Sequence, residues 1–115
     1  MSATKDRLVL GVVATDATFE LKDVRGERVW VGKCIHCQSA LVVGQRGQTF
    51  GATLEHIVAR AHGGTDELRN LALACARCNH GKGVRTDRLR PSDPRVVELR
   101  AKLELRRAER WRDPA

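Results

Sequence analysis

The chain has 115 residues, enough for one small domain with a limited hydrophobic core. Its net charge of +7 and pI near 9.9 favour a polyanionic partner, and residues 80–115 carry most of the surplus, with eleven basic and six acidic groups. Two Phe, two Trp and no Tyr argue against a protein that stacks single-stranded bases on aromatic side chains. No apolar run reaches membrane-spanning length and no signal-peptide pattern opens the chain, so we expect a cytoplasmic protein without membrane contact.

The N-terminal part of the chain predicts β-structure. Residues 8–14 are almost wholly apolar and rich in valine, which favours a strand. Residues 19–24 and 28–31 predict a hairpin around a turn at residues 25–27. We therefore expect residues 1–33 to form an N-terminal extension of strands.

The middle of the chain alternates apolar segments with turn residues. Residues 41–43 and 48–57 predict a strand, a turn and a second strand. Residues 71–74 predict a further short strand, which we expect to pair with residues 53–57. Between them, residues 59–70 hold two adjacent glycines and many polar side chains, so we expect a loop.

Two helices are predicted in the last third of the chain. The first opens at Ala76 and ends near Lys82, because two glycines there limit its length. The second is capped by Asp93, has Pro94 in its first turn, and runs to about Arg110. We predict that this second helix packs on the core with a solvated charged face, and phosphate contact by its arginines is the second interpretation. The charged face comprises Arg95, Glu98, Lys102, Arg106 and Glu109.

All four cysteines fall in two C-x-x-C pairs, Cys34 with Cys37 and Cys75 with Cys78. A thiolate pair two residues apart can hold one tetrahedral ion from a tight turn, and two pairs complete the four-cysteine shell typical of structural zinc. A redox C-x-x-C or disulfides are the alternatives, and a reducing compartment disfavours disulfides. His36, inside the first pair, could also replace a cysteine as zinc ligand.

A set of short motifs runs in order from Glu55-His56 through two glycines and Asn70-Leu71 to Cys75-x-x-Cys78-Asn79 and Lys82-Gly83. This order resembles the HNH endonuclease family, in its branch with a four-cysteine zinc site. The resemblance covers residues 34–83 and implies an α+β fold, a small zinc-stabilised ββα-metal core. Residues 1–33 would precede this core, and residues 84–115 would form a basic C-terminal helix in the same single domain.

The resemblance also implies roles for individual residues. His56 would be the general base, a role that suits an imidazole because it titrates near neutral pH. Glu55 and Asn79 would bind the catalytic ion, and a carboxylate plus an amide oxygen suit Mg²⁺ or Mn²⁺. Glu55 could instead be a surface strand residue, and Asn79 a helix cap. Because adjacent strand residues point to opposite faces, a kink or strand end would have to bring Glu55 and His56 to one phosphate.

Three further polar residues belong to the implied site. Asn70 matches the central asparagine of the family, whose amide ties the loop together and helps to orient the base. Lys82 would touch a phosphate of the scissile strand, or else be solvated at the helix end. His80 would add a ligand or a phosphate contact.

The implied function is metal-dependent hydrolysis of phosphodiester bonds in double-stranded DNA. One alternative is a non-catalytic zinc-containing module that binds nucleic acid, and another is a zinc-stabilised protein-interaction domain. A non-catalytic module would be expected to lack part of the base-and-ligand set. Glu55, His56 and Asn79 are all present, which favours the enzyme.

Overall fold

The chain opens with a helix, α1 (Ala3–Thr15), in the computed structural model, which describes residues 3–114. The strand predicted for residues 8–14 is therefore wrong. Val9, Val12 and Val13 follow the i, i+3, i+4 spacing of one helix face, and all three are buried in the core. Packing of that face outweighs the preference of β-branched side chains for strands.

A three-stranded antiparallel sheet follows, in the order β1 (Glu20–Val24), β2 (Glu27–Lys33) and β3 (Ala40–Val43). The first two strands form the predicted hairpin. Its turn residues, Arg25 and Gly26, have positive φ angles of 52° and 81°, as the tight turn that matches strand twist requires. The third strand pairs with the second, and β2 ends at Lys33, directly before the first cysteine pair.

The second sheet and the helix behind it form a ββα unit. Strand β4 (Ala52–His56) pairs antiparallel with β5 (Leu71–Cys75), as predicted, and helix α2 (Ala76–Lys82) begins directly after β5. The bounds of α2 agree with the prediction, and the chain continues after it through a π-helical turn, Gly83–Asp87. Side chains support this wider turn: Lys82 Nζ donates to Asp87 Oδ1 at 2.7 Å.

The C-terminal helix α3 (Pro94–Arg110) packs on the core, as predicted. Asp93 caps it, with its Oδ1 accepting a hydrogen bond from the Arg95 backbone N–H at 2.9 Å. Its buried face includes Leu103 and, unexpectedly, Arg107 and Arg110. None of the helices in residues 3–114 combines the length and hydropathy needed to cross a bilayer.

Arginines of the C-terminal segment donate to backbone carbonyls instead of standing in solvent. Arg107 is 2 % exposed and bonds the carbonyls of Leu71 and Thr15, both at 2.8 Å. Burial lowers the pKa of Arg107 to about 10, which still leaves the guanidinium charged at neutral pH. Arg110 and Arg106 bond carbonyls of the first cysteine pair and its flank: Lys33, Cys34, Ile35 and His36. Helix α3 thereby fixes α1, β5 and the first cysteine turn.

We predict that Arg107→Met lowers the free energy of unfolding by about 3 kcal/mol, because it removes a buried guanidinium that donates to the carbonyls of Leu71 and Thr15 and to the Thr15 hydroxyl. Urea unfolding followed by far-UV circular dichroism measures the change. Arg100→Met is the matched control, since Arg100 is half exposed on the same helix and bonds Glu104. Equal stability of the two variants would contradict this role.

Candidate functional site

The four cysteines converge on one point. The first pair lies in the turn after β2, and the second spans the end of β5 and the start of α2. All four Sγ atoms lie within 4.8 Å of one another, and those of Cys37 and Cys75 are 4.0 Å apart. Four thiolates bound to zinc at about 2.3 Å stand about 3.8 Å from each other. The cluster fits a tetrahedral zinc ion, as predicted.

The electrostatics of the cluster also fit a cation. Backbone N–H groups of His36 and Cys75 both point at the Cys34 sulfur, at 3.4 Å. Hydrogen bonds from Ser39 lower the pKa of Cys37 to about 6, whereas burial and hydrogen bonds with neighbouring thiols raise that of Cys78 to about 12. Four sulfurs this close cannot all ionise without a positive charge among them, which a zinc ion supplies.

Glu55 lies on β4 opposite Ala72, with its side chain 1 % exposed. The alternative of a surface strand residue is therefore wrong. Its two carboxylate oxygens lie 2.7 and 2.8 Å from Nε2 of His36. The group of atoms that could hold one metal ion in residues 3–114 consists of the four cysteine sulfurs, and Nε2 of His36 is engaged with Glu55, so the alternative in which His36 replaces a cysteine ligand is not supported.

His56, the next residue on β4, has different partners in the loop that follows. Its Nε2 lies 2.7 Å from Oδ1 of Asp66 and 3.3 Å from Nε of Arg60. One nitrogen cannot donate to the carboxylate and accept from the guanidinium together, and we assign the proton to Nε2 because the carboxylate contact is shorter and charge-assisted. This hydrogen bond, followed by the charge of Arg60, lowers the pKa of Asp66. The assignment leaves Nδ1 of His56 as a proton acceptor.

Asn79 lies inside α2 and does not cap it, since Cys75 occupies the N-cap position. Its amide nitrogen donates to Thr53 Oγ1 at 3.0 Å and points to the Leu54 carbonyl at 3.5 Å. The side chain thus lies against the peptide that joins Leu54 to Glu55, and its Oδ1 is the atom left for a ligand. Metal binding by Asn79 stays a prediction.

Asn70 bonds the loop that follows His56. Its Oδ1 accepts from the Val58 N–H at 2.8 Å, and its Nδ2 donates to the carbonyls of Val58 and Thr65. These bonds hold both ends of the segment from Val58 to Thr65, directly before Asp66. The position suits the predicted loop-tying role of this amide.

The two predicted phosphate-binding residues lie in different environments. Lys82 is 6 % exposed, and its ammonium group donates to the His56 carbonyl at 2.9 Å and to Asp87. These hydrogen bonds contradict a solvated Lys82. A phosphate contact would require the Lys82 ammonium group to leave them. His80 is exposed on α2. Phosphate binding by either residue stays a prediction.

Five of the six predicted residues therefore lie on β4 and α2, but in separate contacts, whereas Asn70 lies directly before β5. Glu55 faces His36, His56 faces Asp66, and Asn79 lies on the strand edge. Sequence reasoning missed Asp66 and Arg60, and it did not foresee the partner of His36. Asp66 stands ten residues after His56 in an irregular loop, where neither strand nor helix periodicity brings side chains into register.

Residues 34–85 match the model of the HNH endonuclease family. This segment is a little under half of the chain and contains both cysteine pairs, strand β4, strand β5 and helix α2. The resemblance to the HNH family is confirmed for this segment, which also carries the four-cysteine cluster. No curated protein and no solved structure gives a significant match to the chain.

Proposed function

We propose that this protein is a metal-dependent endonuclease that hydrolyses phosphodiester bonds in double-stranded DNA, with His56 as general base. The observation that carries the proposal is the contact of 2.7 Å between His56 Nε2 and Asp66. It holds the imidazole at the end of β4, directly after the buried Glu55. The HNH match of the same segment supports the reaction class.

In the proposed reaction, Nδ1 of His56 accepts a proton from water as the water oxygen forms a bond to phosphorus. The P–O bond on the opposite side breaks, and its electron pair stays on the leaving oxygen, which takes a proton from solvent. Asp66 stabilises the imidazolium formed on His56, because its carboxylate already accepts from Nε2. The proton then passes from His56 to solvent and restores the base.

Glu55 and Asn79 are the residues that would hold the divalent ion. The Glu55 side chain is 1 % exposed, and a buried carboxylate is stable only with a positive or hydrogen-bonding partner. Within the described residues, the hydrogen bonds to Glu55 come from the His36 imidazole. The carboxylate and the Asn79 Oδ1 are oxygen donors of the type that Mg²⁺ and Mn²⁺ prefer. Such an ion supplies positive charge beside the phosphate as negative charge develops there.

The basic surface available for DNA is narrower than the net charge suggests. Arg106, Arg107 and Arg110 are engaged with backbone carbonyls inside the protein. Exposed arginines remain on α2, on the turn after it and in the loop before α3: Arg77, Arg85, Arg88 and Arg90. We assign the phosphate-backbone contacts to this group.

We also place the protein in the cytoplasm, because its cysteines form no disulfide and a reducing compartment keeps thiols in that state.

A plasmid assay tests the proposal. The full chain is purified with its zinc content measured, and supercoiled plasmid is then incubated without added metal, with Mg²⁺ or with Mn²⁺. Relaxed or linear DNA should form only with added divalent ion. Salt-dependent DNA binding without cleavage in any metal would instead support the non-catalytic zinc-containing nucleic-acid-binding module. Absence of DNA binding would favour the protein-interaction domain.

We predict that Asp66→Asn slows nicking roughly ten- to a hundredfold, which corresponds to loss of one charge-assisted hydrogen bond of about 1.5–3 kcal/mol. Initial rates of plasmid relaxation at fixed Mg²⁺ measure the effect. Asp23→Asn is the control, because Asp23 is an exposed carboxylate whose partner is Arg28 on the N-terminal hairpin. Unchanged rates for Asp66→Asn would remove this residue from the mechanism.

A further inference from the structure

His36 is held in place by contacts on both its backbone and its side chain. Its backbone N–H points to the Cys34 sulfur, and its carbonyl accepts from Arg106 at 3.0 Å. The imidazole Nε2 lies almost equally far from both oxygens of Glu55, at 2.7 and 2.8 Å. A single N–H donor usually points at one oxygen of a carboxylate. A cation, by contrast, can bind both oxygens at once from a position midway between them.

The Glu55–His36 pair lies beside an open cavity of about 240 Å³. His36 forms part of its wall, together with Gly81, Arg85 and Thr86. The His36 side chain is 16 % exposed, so solvent and ions reach it although Glu55 itself is buried. The guanidinium of Arg85 gives the same cavity a group that can bind a phosphate.

We infer that His36 is a further protein ligand of the divalent ion held by Glu55, and that this nitrogen donor makes the site prefer Mn²⁺ to Mg²⁺. The inference rests on the proposed function for the presence of that ion. An imidazole nitrogen suits transition-metal ions, and Mn²⁺ is the transition-metal ion that shares the preference of Mg²⁺ for carboxylate and amide oxygens. An ion bound by both residues would replace their direct contact of 2.7 Å, and His36 would then couple the cysteine cluster to the catalytic strand.

Electron paramagnetic resonance of Mn²⁺ tests this inference without DNA or turnover. The full, zinc-loaded chain is titrated with Mn²⁺, loss of the free-ion signal gives the affinity, and pulsed measurements detect hyperfine coupling to ¹⁴N. We expect ¹⁴N coupling in the natural protein and Mn²⁺ binding at least about tenfold tighter than Mg²⁺ binding. We expect His36→Gln to lose the coupling and at least about tenfold in affinity, a change of about 1.4 kcal/mol.

Controls separate ligation from folding. His36→Gln keeps an N–H donor for Glu55 but has no imidazole, and its zinc content shows whether the cysteine cluster persists. His62→Ala removes a histidine whose Nε2 contacts the Leu89 carbonyl, and it should leave both Mn²⁺ readouts unchanged. Glu55→Gln should weaken Mn²⁺ binding at least as much as His36→Gln does.

Three outcomes would overturn the inference: no Mn²⁺ binding by the natural protein, bound Mn²⁺ without ¹⁴N coupling, or unchanged affinity and coupling in His36→Gln. These outcomes are independent of the plasmid assay. If Mn²⁺ binds through His36 but the protein cleaves no DNA, the proposed nuclease activity is wrong and the assignment of His36 as a ligand still holds. If the protein cleaves DNA but bound Mn²⁺ shows no ¹⁴N coupling, the nuclease activity holds and the assignment of His36 is wrong.

Discussion

Replacing His56 by alanine should abolish metal-dependent plasmid relaxation, with a loss of about 100- to 10,000-fold, the usual contribution of a general base. The variant keeps Glu55 and Asn79, so divalent-ion binding should persist while the water loses its proton acceptor. The fold should tolerate the change, because the partners of the His56 side chain, Asp66 and Arg60, are 48 % and 70 % exposed. Initial nicking rates with Mg²⁺ and with Mn²⁺ measure the loss.

The control for this experiment is His80→Ala, prepared by the same purification. His80 is exposed on α2. Its loss should cost far less activity than loss of His56, even if it contributes a phosphate contact. Melting temperature and zinc content should match the natural protein in both variants. If His56→Ala nicked DNA as fast as the natural protein, either His56 would not be the base or a contaminating nuclease would be responsible. An unrelated protein carried through the same purification distinguishes these two cases.

Cys75→Ser should release zinc and largely unfold the chain. Cys75 ends β5, pairs across the sheet with Ala52 and caps α2, so one residue joins the metal cluster to every element of the ββα unit. Zinc binding contributes about 10–16 kcal/mol in small zinc domains, comparable with the total stability of about 5–15 kcal/mol of a typical protein. Far-UV circular dichroism, thermal melting and colorimetric zinc release measure the outcome.

Ser92→Ala is a suitable control for the cysteine variant, because Ser92 is exposed in the loop before α3. A chelator titration of the natural protein should reproduce the Cys75→Ser phenotype, with zinc release and loss of secondary structure at the same chelator concentration. Native melting behaviour after complete zinc removal would show that the cysteine cluster does not hold the fold.

The parts of the fold that the sequence predicts are those set by local pattern. The pairing of β4 with β5, the start of α2 after Cys75 and the capping of α3 by Asp93 follow from short-range rules and agree with the structure. Helix α1 could not be predicted from local pattern, because valine by itself favours strands. Burial of the face formed by Val9, Val12 and Val13 is what stabilises the helix.

The candidate site divides in the same way. The cysteine cluster could be predicted because its ligands come in pairs at fixed spacing. The contact of Glu55 with His36 and that of His56 with Asp66 could not be predicted from the sequence. Each contact depends on how a turn or an irregular loop folds back on β4. Buried arginines such as Arg107 escape prediction for a related reason: a charged side chain is assigned to solvent until carbonyl partners for it are known.

The arginines of α3 determine how far the nuclease-like segment can stand alone. The carbonyls of Lys33 and Ile35, on either side of the first cysteine, take their hydrogen bonds from Arg110 and Arg106 near the end of the chain. Residues 34–85 excised as a fragment would lose these donors and leave the metal-binding turn partly unsupported. We therefore expect the family motif in this protein not to fold as an autonomous unit, because donors that its first metal-binding turn uses lie in the C-terminal helix outside the motif.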